Sequence, residues 1–210
     1  MNCNKIQLND LGKKYQNRWI FKHLDYAFLK NRSYAIKGPN GSGKSTLLKV
    51  LSGYLSPSRG DISYTHQEKT IPRDEVFKWV SFTAPYISLI DRLSLKENVE
   101  FMLKFQSLRN GLQAKDLIDI CNLKKTKGKE IRYFSSGMMQ RLKLATAICS
   151  DTDIILLDEP GTNLDEEGIA WYRNLMKEHI EDRIVIIASN TKEDFDFCDE
   201  ELSLLDYKKL

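Results

Sequence analysis

No apolar run in this chain is long enough to cross a bilayer. The longest, residues 154–157 and 184–188, are strand-sized, so no transmembrane helix is expected. Cysteine is sparse and scattered, at Cys3, Cys121, Cys149 and Cys198, with no C-x-x-C pair, and no charged-then-apolar segment opens the chain. A disulfide framework and an export signal are therefore not expected, and a reducing cytoplasm is the expected setting. The charge surplus is only +3, too weak to argue for nucleic acid as a partner. Internal repeats and low-complexity tracts are missing too. What is present is an ordinary globular composition, 41% hydrophobic and 29% charged, in 210 residues. That length suits one large domain or one domain carrying an inserted subdomain.

Against this background one stretch stands out. Residues 38–46 read Gly-Pro-Asn-Gly-Ser-Gly-Lys-Ser-Thr, between a strand-like apolar run (34–36) and a helix-like one (45–51). The spacing G-x-x-x-x-G-K-[ST] in that context is a phosphate-binding loop. Gly38, Gly41 and Gly43 let backbone N–H groups turn inward toward an anion, with Asn40, Ser42 and Thr46 in the same cradle. Lys44 can reach β/γ-phosphates, and the Ser45 hydroxyl can ligate Mg²⁺. The expected ligand is a nucleoside triphosphate with Mg²⁺. A second motif, Ile-Ile-Leu-Leu-Asp-Glu-Pro at 154–160, ends a buried strand in two carboxylates. Charge there is costly unless a metal or ligand offsets it. Asp158 is suited to holding Mg²⁺, and Glu159 to activating a water as general base. Acids at a strand tip often just meet solvent; beside the phosphate loop that bland reading loses ground.

Periodicity supplies the frame. Alternation at Ile6, Leu8, Leu24, Tyr26 and Phe28 predicts antiparallel strands ahead of the loop, followed by a helix over 47–55 and a turn at 56–60. A short strand at 62–64 precedes a loop-like polar stretch (65–74) and a strand over 76–82. Helical spacing covers 94–108, with Ser94 and Glu97 as a capping box, then 112–123 and 135–149. The lysine-rich 124–129 reads as a solvated loop. Strands at 153–157, 184–188 and 202–205, with a helix over 165–180, complete an α/β pattern: a P-loop NTPase with a mainly parallel core sheet, an N-terminal antiparallel β subdomain and, near 94–150, an inserted helical subdomain.

Between the two motifs, Phe134-Ser-Ser-Gly-Met-Met-Gln-Arg141 resembles the signature of the ATP-binding-cassette (ABC) ATPase family, matching it at Ser135 and Gly137. The resemblance covers nearly the whole chain, 1–210, as a single ABC ATPase domain. It implies that ATP is the nucleotide and that two cassettes pack head to tail, the signature of one holding the γ-phosphate on the other's loop. A serine hydroxyl, a glycine amide and a positive helix end suit an anion, although Ser-Ser-Gly in isolation is more often a helix cap. Tyr15 falls where the family stacks an aromatic on adenine, with Trp19 a competing candidate. Residues 162–165, Thr-Asn-Leu-Asp, match the family's D-loop, in which Asp165 can look across the interface, cap the following helix, or do both.

Two family positions differ. Where a glutamine should touch Mg²⁺ and the attacking water, the chain has Pro85, which has no side-chain donor or acceptor. Where a histidine should follow the last core strand it has Asn190, and the chain's histidines are His23, His66 and His179. An amide can bond a phosphate but cannot become an imidazolium. The resemblance therefore implies a Mg²⁺-dependent ATPase that is slow in isolation, since loss of one positioned donor lowers such rates by about 10²- to 10³-fold. It further implies the ATP-binding subunit of an ABC transporter. Such a subunit would dimerise on ATP, expected as a homodimer, and drive a separately encoded membrane permease from the inner face of the cell membrane. Coupling would run through residues 85–91 and the helix starting at Ser94. The alternatives are a soluble ABC ATPase without a permease and a regulatory ATP-binding module with little hydrolysis; retention of Glu159 argues against the last.

Overall fold

The computed structural model describes residues 3–67 and 69–208. β1 (Lys5–Tyr15) and β2 (Arg18–Leu29) form a long antiparallel hairpin, followed by β3 (Arg32–Lys37) and α1 (Lys44–Leu51). β4 (Arg59–His66) pairs with β1, and β5 (Lys69–Ile71) pairs with β4, giving an antiparallel sheet in the order β2-β1-β4-β5. Next come β6 (Val80–Thr83), α2 (Leu95–Met102), α3 (Ala114–Ile120), α4 (Ser136–Cys149), β7 (Ile154–Asp158), α5 (Glu166–His179), β8 (Ile184–Ala188) and β9 (Glu200–Ser203). Among the described residues the second sheet is parallel throughout, in the order β6-β7-β8-β3-β9.

The alternation of side chains along a strand divides the interior in two. From the parallel sheet, Ile36, Ile154, Leu156, Ile184 and Ile186 face a core shared with Leu47, Leu48 and Leu51 of α1 and with Ile6, Leu8, Phe21 and Phe28 of the hairpin. Their neighbours Ala35, Ile155, Leu157, Val185 and Ile187 face a second core with residues of α2, α3, α4 and α5. Covered on both faces, β7 and β8 are buried at every position, which accounts for their unbroken apolar runs.

The structure differs from the periodic reading at several element boundaries; the helices expected over 47–55 and 112–123 are Lys44–Leu51 and Ala114–Ile120. The polar stretch 65–74 extends β4 to His66 and adds β5 at the sheet edge, where polar residues are tolerated because one side of the strand meets water. The strand expected over 76–82 is instead a 3-10 turn, Arg73–Lys78, before β6 begins at Val80; Pro72 cannot donate to a ladder and sets the turn's entry. The helix expected over 94–108 starts with its capping box, Glu97 N–H to Ser94 Oγ at 3.3 Å and Ser94 N–H to Glu97 Oε2 at 2.8 Å. It ends at Met102, leaving Phe105 77% exposed. The last strand lies at 200–203 rather than 202–205, because pairing with β3 sets its register and a 3-10 turn follows.

Arg183 joins the ends of several elements beneath the sheet. It is fully buried, and its guanidinium donates to the carbonyls of Thr152 (2.6 Å), Ser150 (2.7 Å), His179 (3.3 Å) and Ile148, and to Thr152 Oγ1 (2.8 Å). One carbonyl at the C-terminus of α4, Ile148, and one at that of α5, His179, are thus satisfied by a single side chain. Arg183→Met keeps the volume but removes the donor from five acceptors, so it is expected to lower stability by about 3 kcal/mol or more. Thermal or urea melts check this, and a loss below about 1 kcal/mol would refute the assignment.

Candidate active site

Because β7, β8 and β3 are adjacent and parallel, the loops that leave their C-terminal ends converge. Ala188 is in register with both Asp158 and Ile36. The Glu159 N–H donates to the Ala188 carbonyl at 2.8 Å, and the Ser189 N–H to that of Ile36 at 3.3 Å. The phosphate loop, the acid pair and Asn190 are thereby brought to one spot.

The loop itself is built on backbone that only glycine adopts easily. Gly43, at φ 107°, starts α1, and a Cβ there would lie 2.3 Å from Ile20 Cγ2, so the hairpin packs directly on the loop. No side chain caps α1, which leaves its first N–H groups free for an anion. Lys44, 5% exposed, donates to the Gly38 carbonyl at 2.8 Å and pairs with Glu159 Oε1 at 3.4 Å. Ser42 Oγ is buried without a hydrogen-bond partner, an orphan that a phosphate oxygen would satisfy. Asn190 Nδ2 reaches Asn40 Oδ1 at 3.3 Å, so the residue at the histidine position touches the loop.

Asp158 is 2% exposed, and neither of its carboxylate oxygens makes a hydrogen bond. Burial pushes its carboxyl above the ordinary range; nearby Ser45 and Tyr86 hydroxyls and Lys44 act in the opposite direction, while Glu159 adds to the rise. A buried, unbonded carboxylate beside a serine hydroxyl is a hard-oxygen donor set that fits Mg²⁺. Glu159 follows at φ 46°, a left-handed conformation uncommon for a non-glycine residue, and its Oε2 accepts from Ser189 Oγ at 2.8 Å.

Ser135, Gly137 and Asp165 gather elsewhere. Ser135 caps α4, its Oγ accepting from Met138 N–H at 3.2 Å, and Asp165 caps α5, accepting from Gly168 N–H at 2.8 Å. A Cβ on Gly137 would lie 3.0 Å from the Asn163 carbonyl, so signature and D-loop touch. Both line one groove of about 590 Å³. Among the described residues none of the three is hydrogen-bonded to the phosphate loop, Asp158, Glu159 or Asn190; the link is Gln140 on α4, whose buried amide donates to the Pro160 carbonyl at 2.8 Å. Tyr15 sits half exposed at the hairpin tip with Lys13 over its ring, whereas Trp19 packs on Gly12.

Four residues of the site carried no motif. Tyr86, held by Lys49 4.3 Å from its ring centre, stands near Asp158 directly after Pro85. Lys143 of α4 donates to the Ala84 and Pro85 carbonyls at 3.3 and 3.2 Å. Ser189 and Asp194 lie behind Glu159.

A phosphate loop after one central parallel strand, with an acid pair ending a strand of the same sheet, is the arrangement of a P-loop nucleoside triphosphatase. The ABC transporter family profile matches residues 21–162. YybJ of Bacillus subtilis, described as an uncharacterized ABC transporter ATP-binding protein, is 32% identical over 207 residues, covering 95% of this chain and 92% of its own. YcbN of the same organism, described in the same words, is 31% identical over 82% of this chain, which spans only 56% of that relative's length. The solved post-hydrolysis dimer of the cassette MJ0796, bound to ADP and phosphate, superimposes with a TM-score of 0.81 at 23% identity, over 94% of this chain and 93% of that one. The chain belongs to the ABC transporter ATP-binding family. It is an ATP-binding ATPase of that class.

Asp158 yields a signed prediction. A carboxyl whose folded-state pKa is raised loses stability for the fold as pH climbs past the unfolded value of about 3.9. Asp158→Asn removes that loss, so the nucleotide-free variant is expected to melt about 2–4 °C above the native protein at pH 7, with the gap closing below pH 4. Melting curves across pH read this directly, and a lower melting temperature at pH 7 would refute it.

Proposed function

We propose that this chain is the motor subunit of a membrane transporter, which binds ATP with Mg²⁺, dimerises around two nucleotides and passes its closure to a separately encoded permease. The observation that carries the reading is the unbonded Asp158 carboxylate beside the Lys44–Glu159 pair, at the mouth of the phosphate loop. Lys44 exchanges Glu159 for β/γ-phosphate oxygens, and backbone N–H groups from Gly38, Gly41 and Gly43 to Thr46 hold the rest of the chain of phosphates, with Asn40 and Ser42 alongside. Freed, Glu159 faces the attacking water and takes its proton as general base. Mg²⁺, held through Ser45 and Asp158, would supply the positive charge that offsets the phosphate oxygens. Asn190 donates its amide to the γ-phosphate but adds no cationic charge, so the chemical step is slow. Tyr15 offers its ring to adenine.

Ser135 and Gly137, at the N-terminus of α4, and Asp165 complete the site of a second copy. The solved dimer of MJ0796 supports that arrangement. Among the described residues no helix is long and apolar enough to cross a membrane; in this reading contact with the bilayer runs through the permease, on its cytoplasmic side. The groove lined by Pro85, Leu89, Asp91, Ile131 and Lys143 is the surface for it. Lys143 ties that groove to α4, so a push on residues 85–91 reaches the signature end.

Mg²⁺-dependent ATP turnover of the purified chain is expected to rise more steeply than protein concentration, to vanish in Glu159→Gln with ATP binding kept, and to vanish with binding in Lys44→Ala. Strictly linear dependence on concentration would overturn the two-copy site. Detergent extraction should retain an integral membrane protein with the native chain; a chain that enters only the soluble fraction would overturn the transporter assignment.

A further inference from the structure

Behind Glu159 a single hydroxyl serves two carboxyl groups. Ser189 Oγ lies 2.8 Å from Glu159 Oε2 and 2.7 Å from Asp194 Oδ2, and it accepts from the Thr191 N–H at 3.0 Å. A serine hydroxyl has one proton to donate. With both carboxyls ionised, one of the two short contacts would set a carboxylate oxygen against a lone pair. A second proton must therefore sit on one of the acids.

The surroundings decide which. Glu159 is partly open to solvent, and its other oxygen faces the Lys44 ammonium at 3.4 Å. Asp194 is 2% exposed on the 3-10 turn Lys192–Asp194; among the described residues it forms no ion pair, and its Oδ1 has no donor in full hydrogen-bond geometry. The charged groups that act on it, Glu159 from the β7 end and Glu193 beside it, are both acids. From α5 the Tyr172 hydroxyl donates to the Asp194 carbonyl at 3.0 Å; the Ser189 hydroxyl and the Gly161 N–H on the loop after β7 face the carboxyl and act to lower its pKa, against the larger effect of burial. Burial raises the Asp194 carboxyl further. A Cβ on Gly161 would fall 2.1 Å from Asp194 Oδ1, so this acid is pressed against the loop that carries Glu159.

We infer that Asp194 is a positioning residue: a neutral carboxylic acid that donates to Ser189, whose hydroxyl then donates to Glu159 Oε2 and holds the other oxygen toward the water. This rests on the reading of Glu159 as the base. The chain of bonds is Asp194 to Ser189 to Glu159, two protons over three groups, and it breaks when Asp194 loses its proton, because Ser189 then has two anions to satisfy with one hydrogen.

An asparagine amide at 194 donates as the neutral acid does but cannot ionise. Asp194→Ala and Ser189→Ala are expected to lower kcat by about 10-fold or more while leaving ATP affinity within twofold, since neither residue touches the phosphate loop; Asp194→Asn restores kcat to within about threefold. The native kcat falls on the alkaline side of its pH profile, and Asp194→Asn lacks that limb. In nucleotide-free protein the melting temperature of Asp194→Asn gains on the native one as pH rises, because the native fold must ionise a buried acid. Superimposable pH profiles, or an Asp194→Asn as slow as Asp194→Ala, would overturn the inference even if the alanine variants fold poorly. Full activity in Glu159→Gln would instead overturn the reading of the base beneath it.

Discussion

Everything at this site depends on three hydrogen-bonded neighbours, β7, β8 and β3, running in the same direction. Parallel pairing sends all three chains out of the sheet at one edge, and the shared register at Ala188 sets Asp158 level with the last residues before the phosphate loop. Such a sheet has to be covered on both faces, which is why the hairpin and α1 lie on one side and α2 to α5 on the other. The two covers also carry two parts of the proposed nucleotide site: the hairpin packs on Gly43 through Ile20, and α4 begins at the signature.

Rigid and unsatisfied groups are divided between the two ends of that sheet. At the bottom, the buried Arg183 guanidinium answers the carbonyls of Ile148 and His179 at the ends of α4 and α5 and those of Ser150 and Thr152 before β7. At the top, Ser42, both oxygens of Asp158 and one of Asp194 lack partners, and Glu159 holds a strained backbone. Binding sites are drawn from such regions because a ligand can offset desolvation that the fold leaves uncompensated. The helical side is tied to this end at Gln140 to Pro160 and at Lys143 to Ala84 and Pro85, so a displacement of α4 is felt at both the acid loop and the groove below residue 91.

The parts of the site that could be read in advance were those whose chemistry lies in consecutive residues. A phosphate loop, an acid pair ending an apolar strand and a signature before a helix each carry their geometry locally, through glycine conformations, β-branched runs and helix caps. The parts that could not were contacts between distant segments of unremarkable composition. Asp194 is one more acid in a polar turn until β8 brings Ser189 under Glu159, and Tyr86 is one more loop aromatic until the turn after β6 sets it near Asp158. The strand edges failed for a similar reason: the polar 65–74 stretch forms β5 only because β4 is there to pair with it.

Sequence by itself determined the class of fold, the nucleotide chemistry and the two substitutions, Pro85 and Asn190, since these follow from side-chain identity and local backbone preference. Tertiary structure decided which groups share protons and which acids stand without partners. Desolvation and hydrogen-bond counting are properties of the packed neighbourhood, and no spacing along the chain encodes them.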